Sequence, residues 1–359
     1  MKLSRRQFNL GSTASFASAI TSSFHSNSTC CAQNASSKTT GKSSVPTHRD
    51  TFALIKSAGK IPVIFDTDIG GDIDDTWALL YLLKCPELDL KLLATDARLG
   101  DYRTSLAAKF LTEVGRQDVP LAISVGRRDG KGNQQDWVGD YHYSSYEGPI
   151  SEDAADAIIR TIKTSPVPVT LICVGAVPNI SEALRRDPSI CKNARFVGMH
   201  GAIHVGYGGH LPVVPEANVR NGIEPLRDTF AADWECSITP LDTCGIVNLD
   251  GDRYRTIYNS PARGIKELMA NYRAWLTRVR WLNAKPNPTT KSTTLFDLVA
   301  VTMAYSEDFM EMETLSLSIN DTGVTLINEV DGHDVRCAMR WKNLDKYKDH
   351  ITERLTSNL

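Results

Sequence analysis

The sequence predicts an α/β fold with a mostly parallel central sheet and helices on both of its faces. Three observations predict it. From residue 61 onward, short β-branched runs alternate with amphipathic stretches. The runs are apolar at consecutive positions, as expected of strands covered on both sides. A cluster of aspartates begins directly behind the first run, at the strand end where open parallel sheets hold their ligands.

Taken in order, the chain opens on MKLSRRQFNLGSTASFASAI, where Arg5 and Arg6 precede Phe8 and a weakly apolar stretch of Ser, Ala and Gly. This block resembles a twin-arginine export signal, assigned to 1–32, with a Ser/Thr/Asn-rich linker over 33–59 and one folded domain over 60–359. The competing reading is a basic, disordered N-terminus. Export to the periplasm or the medium is the expectation, without stable membrane insertion once the signal is removed. The sequence holds no run of about 18 apolar residues that could span a bilayer. With 42% hydrophobic and 23% charged residues the chain can bury a full core, and a formal net charge of −2 provides no basic excess to hold nucleic acid. The eight cysteines show no C-x-x-C spacing, which excludes zinc-ribbon and thioredoxin-like readings. Most are expected to be buried small apolar residues.

Five runs read as strands: IPVIFD from residue 61, LDLKLLATD (88–96), VPLAIS (119–124), VPVTLICVG (167–175) and ARFVGM (194–199). Between them, TWALLYLLK, RTSLAAKFLTEVG, EDAADAIIRTIKT and NISEALRR have helical spacing. The connections at about 126–150 and 200–222 are long, and long loops inside a compact domain are frequently functional. After residue 260 helices are expected in ELMANYRAWLTRVRW and LFDLVAVTMAY, then short strands around TLSLSIN and GVTLI.

DTDIGGDIDD packs Asp66, Asp68, Asp72, Asp74 and Asp75 into ten positions. Turn and N-cap roles explain one or two of them, not five. A haloacid-dehalogenase-like phosphatase needs D-x-D-x-T/V, and the fifth position here is Gly70. An EF-hand loop counted from Asp66 or Asp68 meets Trp77 or Leu79 where its bidentate Glu belongs. The remaining chemistry is a divalent-cation site that activates water. Crowded carboxylates raise one another's pKa, whereas a hard cation lets them stay ionised.

These residues also carry a family resemblance. DTDIGGDIDD followed by WALLYLL is similar to the N-terminal signature of the inosine-uridine-preferring nucleoside hydrolases, with two extra residues in the loop. LLATDARLGDYRT, LICVGAVPNISEAL, FVGMHGAI, PEANV (215–219) and TLFDLVAV (294–301) resemble further blocks in family order. The resemblance implies the nucleoside hydrolase fold on a Rossmann-like sheet. It implies hydrolysis of the N-glycosidic bond of a ribonucleoside or related N-riboside to ribose and free base. It implies a Ca²⁺ ion held by Asp68, Asp75, Asp297 and the backbone carbonyl of Val174, with Asp68 also the general base. Substrate contacts are implied for Asp74, Asp101, Glu216, Asn218 and Phe296. Asp66 reads as structural, and Asp72, in the lengthened loop, as either a metal contact or a solvated turn. The family pattern has His where this chain has Phe296 and Asn where it has Asp101. A Phe cannot protonate a leaving base, though it can stack on one. His200, His204, Tyr207 and His210 are the candidate replacement acids, each weighed against a plain loop role. The rival function is a non-catalytic exported nucleoside- or ribose-binding protein. The resemblance also leaves room for a homo-oligomer.

Overall fold

In the computed structural model, which describes Ile55, Ser57 and residues 59–96, 98–126, 130–282 and 284–358, the apolar runs become strands of one sheet. The export signal and nearly all of the linker lie outside the described residues. The strands are β1 (Ile61–Thr67), β2 (Leu88–Thr95), β3 (Leu121–Ile123), β4 (Ile150–Ser151), β5 (Val169–Cys173), β6 (Ala194–Met199), β7 (Cys236–Thr239), β8 (Met310–Ile319), β9 (Thr325–Ile327) and β10 (His333–Trp341). Their order is β4-β3-β2-β1-β5-β6-β7-β10-β8-β9. Every pairing from β4 across to β10 is parallel, and β8 and β9 extend the sheet antiparallel to β10.

The helices are α1 (Asp74–Leu83), α2 (Gly100–Glu113), α3 (Gln135–Val138), α4 (Ala154–Thr164), α5 (Pro178–Arg186), α6 (Ala217–Asn221), α7 (Ile223–Ala231), α8 (Leu241–Cys244), α9 (Gly251–Tyr258), α10 (Ile265–Arg278), α11 (Asp297–Met303) and α12 (Leu344–Thr356). β1 is buried at all seven positions because both faces are covered. Val63 and Phe65 enter a layer formed with α1, α2, α10, α11 and α12, while Ile64 enters the opposite layer with α4, α5 and α7. α1, DDTWALLYLL, is apolar on nearly every side and is buried between the sheet and its neighbouring helices. Each fully buried leucine there contributes roughly 1.5–3 kcal/mol of apolar transfer, which fixes the position of the two aspartates that open the helix.

All five strand runs and the helices between them stand where the periodicity puts them. The sequence reading does not include β4, β7, β10, α3, α6, α7, α8, α9 and α12. β7 has four residues and β4 two, and β10 carries Asp334, Arg336 and Arg340 in a run that reads as surface. Among the described residues Cys85, Cys173, Cys236, Cys244 and Cys337 are buried and Cys191 is partly so; all six are free thiols.

Candidate active site

From β1 the chain winds outward through β2, β3 and β4, then returns to place β5 on the other side of β1. The strand order therefore reverses between β1 and β5, and in such sheets a crevice opens at the carboxyl ends of the two strands. Asp68 follows β1 and Val174 follows β5, so both sit at that crevice. It is a cavity of about 960 Å³. Gly175 lets the β5 turn pass close behind Asp68: a Cβ there would lie 3.0 Å from the Asp68 Cβ and backbone nitrogen. Leu99 and Val177, which lead into α2 and α5, are both left-handed (φ 59° and 52°), a conformation costing on the order of 1–3 kcal/mol for non-glycine residues.

Three carboxylates converge on the cavity floor. Asp74 and Asp75 open α1, Asp297 opens α11, and one oxygen of each lies within 4.8 Å of the others. They are 3%, 2% and 3% exposed. Asp75 accepts a 2.5 Å hydrogen bond from the Thr67 hydroxyl, but among the described residues no Arg or Lys forms an ion pair with any of the three. Burial first, and then repulsion within the wider aspartate cluster that includes Asp68 and Asp72, push all three pKa values well above the usual carboxylate range. Such a floor favours a hard cation, which takes carboxylate oxygens as ligands and removes the penalty of keeping them ionised.

The sequence reading grouped Asp68, not Asp74, with Asp75 and Asp297. In the structure Asp68 lines the same cavity but is not one of the three carboxylates that converge within 4.8 Å; the Arg103 Nη2 donates to its Oδ2 at 3.3 Å. Arg103, 5% exposed, comes from α2 and escaped the sequence reading; its nearness to Asp68, 35 residues earlier, exists only in the fold. Asp66 is fully buried and accepts from Asn179 Nδ2 at 2.8 Å, which ties β1 to α5; burial raises its pKa to about 7. Asp72 lines the cavity, accepts its neighbour Ile73 N–H at 2.7 Å, and is raised to about 6, first by burial. The loop around it is clamped through its carbonyls. Tyr102 Oη donates to Gly70 O at 3.2 Å, Asn133 Nδ2 and Trp275 Nε1 donate to Gly71 O at 2.9 and 3.1 Å, and Gln134 Nε2 donates to Asp72 O at 2.8 Å.

Glu216 and Asn218 stand on the opposite wall. The Glu216 carboxylate caps α6, accepting the N–H groups of Asn218 (2.8 Å), Val219 (3.1 Å) and Gly201 (3.2 Å), yet its burial raises its pKa to about 7. Asn218 Nδ2 donates to the carbonyls of Val174 at 3.1 Å and Met199 at 3.0 Å, fixing the carbonyl expected to face a metal. Phe296 lines the cavity edge-on to Tyr207, ring centroids 5.9 Å apart, and Trp281 stands at the mouth, 55% exposed. Asp101 lies in the first turn of α2 and is not among the residues lining the cavity, whereas its neighbours Arg98, Leu99 and Arg103 are. Of the four candidate replacement acids only Tyr207 lines it. His200 is sealed in the interior, donates from Nε2 to Gly175 O at 2.9 Å, and is lowered to about 4 by burial. His204 and His210 are exposed side chains outside the cavity wall.

An acidic floor of this kind, at the crevice of a doubly wound sheet, can hold a divalent cation and suits a reactant that gains positive charge. The comparisons agree. A family model described as inosine-uridine preferring nucleoside hydrolase matches residues 63–349. A non-specific ribonucleoside hydrolase RihC from Klebsiella pneumoniae is 27% identical over 228 residues, 60% of this chain and 73% of its own length. A pyrimidine-specific ribonucleoside hydrolase RihA from Citrobacter koseri is 26% identical over 235 residues, 62% of this chain and 74% of its own length. In fold the chain is similar to the plant nucleoside hydrolase PpNRh1 (TM-score 0.69, 22% identity, 83% of this chain and 99% of that one). It is also similar to an inosine-uridine preferring nucleoside hydrolase from Bacillus anthracis (TM-score 0.65, 19% identity, 82% and 99%). The chain belongs to the inosine-uridine preferring nucleoside hydrolase family and is an N-glycosyl hydrolase.

Proposed function

We propose that the protein hydrolyses the N-glycosidic bond of a ribonucleoside or related N-riboside in a Ca²⁺-dependent reaction. The observation that carries this is the convergence of Asp74, Asp75 and Asp297 at the point where the strand order reverses. These three carboxylates, with the Val174 carbonyl and Asp68 beside them, would hold the ion. When bound, the cation supplies positive charge that keeps the floor ionised and acidifies a nearby water. Asp68 takes the proton of the attacking water, and Arg103 holds that carboxylate in place. The remaining floor charge stabilises the oxocarbenium-like sugar that forms as the base departs. Asn218 and Glu216 orient the sugar hydroxyls from the opposite wall, and Phe296 with Tyr207 covers the base. Ribose release from purine, pyrimidine and pyridine ribosides, with calcium and with chelator, tests the reading. Release that chelator abolishes and calcium restores is expected; release unaffected by chelator would remove the metal from it. Export by the twin-arginine route belongs to the same proposal, supported by SRRQF. Replacing Arg5 and Arg6 with lysine should retain the protein in the cell.

A further inference from the structure

The cavity gives a departing base aromatic faces and negative surroundings. Its two carboxyls outside the converging three that are raised toward neutrality are engaged with backbone N–H groups, Asp72 with Ile73 and Glu216 with Gly201, Asn218 and Val219, which favour the ionised, non-donating form. Among the described residues no His, Lys or Cys lines it, and the position where a family resemblance expects His is Phe296. Tyr207 is the aromatic acid within reach, but its oxygen accepts the Ala217 N–H at 3.0 Å and burial raises its pKa, which makes it a weaker acid. Six carboxylates face the cavity against three guanidinium groups, so a divalent cation would still leave the ionised wall negative. Electron-rich faces of Phe296, Tyr207 and Trp281 attract a cationic ring.

Leaving-group chemistry turns this into a substrate class. A neutral nucleoside expels its base as an anion unless an acid protonates it. A riboside whose base already carries the positive charge, on the glycosidic nitrogen of a pyridinium or shared between N7 and N9 of an N7-alkylated purine, expels a neutral base and needs no acid. The C1′–N bond breaks with both electrons going to the base, whose ring loses its charge; the water oxygen bonds to C1′, and the water's proton passes to Asp68 and on to solvent. Resting on the hydrolase reading above, we infer that the site is built for N-ribosides whose glycosidic base already bears a formal positive charge, such as pyridinium ribosides and N7-alkylated purine ribosides.

The test uses the calcium-loaded full chain and matched pairs of probes: 7-methylguanosine against guanosine, and nicotinamide riboside against uridine. General acid catalysis contributes about 10²–10⁴-fold, so the charged member of each pair should exceed the neutral one in kcat/KM by at least about a hundredfold. Phe296→His should narrow that ratio by raising guanosine hydrolysis, and Tyr207→Phe should change both members of a pair in parallel. Wild-type kcat/KM values within about tenfold of each other would overturn the inference while leaving the hydrolase reading intact. So would loss of guanosine hydrolysis alone in Tyr207→Phe, which would make Tyr207 the acid. Release of ribose from none of the four probes would overturn the hydrolase reading and this inference together.

Discussion

Acidic residues meet opposite fates in two regions of this sheet. At the antiparallel extension, three acids pair with two arginines of β10: Arg336 with Glu307 at 2.6 Å, and Arg340 with Glu311 at 2.8 Å and Glu313 at 2.6 Å. These pairs are solvated or partly so, and their charges are balanced where they stand. At the carboxyl ends of β1 and β5, Asp74, Asp75 and Asp297 are buried side by side with no such partner among the described residues. The contrast separates charge kept for solubility and strand pairing from charge stored for a ligand. The first kind is worth roughly 0–1 kcal/mol per pair. The second kind costs stability until something positive arrives.

Four measurements can break or sharpen that contrast. The largest effect is expected from Asp297→Ala, which should lower ribose release by on the order of 10²–10³ and abolish tight calcium binding. In chelator the same substitution should raise the melting temperature of the protein, because it removes one of three repelling carboxylates. A variant that melts lower in both states would mean that the floor is held together by something other than a ligand.

Next in size is calcium itself. At free calcium of 100 times Kd, a ligand that binds only the folded state adds about 2.7 kcal/mol, and calorimetry should show the corresponding rise in melting temperature. The third effect is the pH dependence of the chelated protein. Asp66 and Glu216 are raised to about 7 by burial, so the folded state binds these protons more tightly than the unfolded chain does. Their contribution is therefore fullest near pH 4 and is lost as pH rises through about 7, and urea midpoints should fall over that window. A flat profile would show that the burial of these two groups is offset elsewhere. The smallest effect is Arg340→Ala on the antiparallel edge, which should change stability by no more than about 1 kcal/mol and leave ribose release as it was.

The two regions were also unequally legible in the sequence. β1 and α1 could be read because a seven-residue apolar run and a ten-residue apolar helix flank a charge density that no turn requires. The aspartates of the floor were therefore visible as a group. Which of them converge was not: Asp297 joins Asp74 and Asp75 from a distant helix, and the Arg103 contact to Asp68 crosses 35 residues, neither of which has a local signature. His200 illustrates the reverse error. HGAIHVGYGGH reads as a loop whose histidines are either candidate acids or plain loop residues, but His200 follows directly on β6 and is carried into the interior, where its ring meets Phe196 and the Gly175 carbonyl. β10 stayed hidden because its own arginines interrupt the apolar pattern, and they are matched by glutamates such as Glu311 and Glu313 of β8 across the ladder, a tertiary arrangement that periodicity alone cannot display.

The clamped loop over Gly70–Asp72 bears on how freely this pocket can be transplanted. Its carbonyls are held by Tyr102 on α2, by Asn133 and Gln134 ahead of α3, and by Trp275 on α10, so no residue of the loop can be slipped out of the chain alone. Shortening the loop would leave those four side chains facing nothing. Grafting it onto another sheet without them would leave its carbonyls without their donors. Loop and scaffold are interlocked across more than 200 residues of sequence, and any redesign that borrows one must carry the other with it.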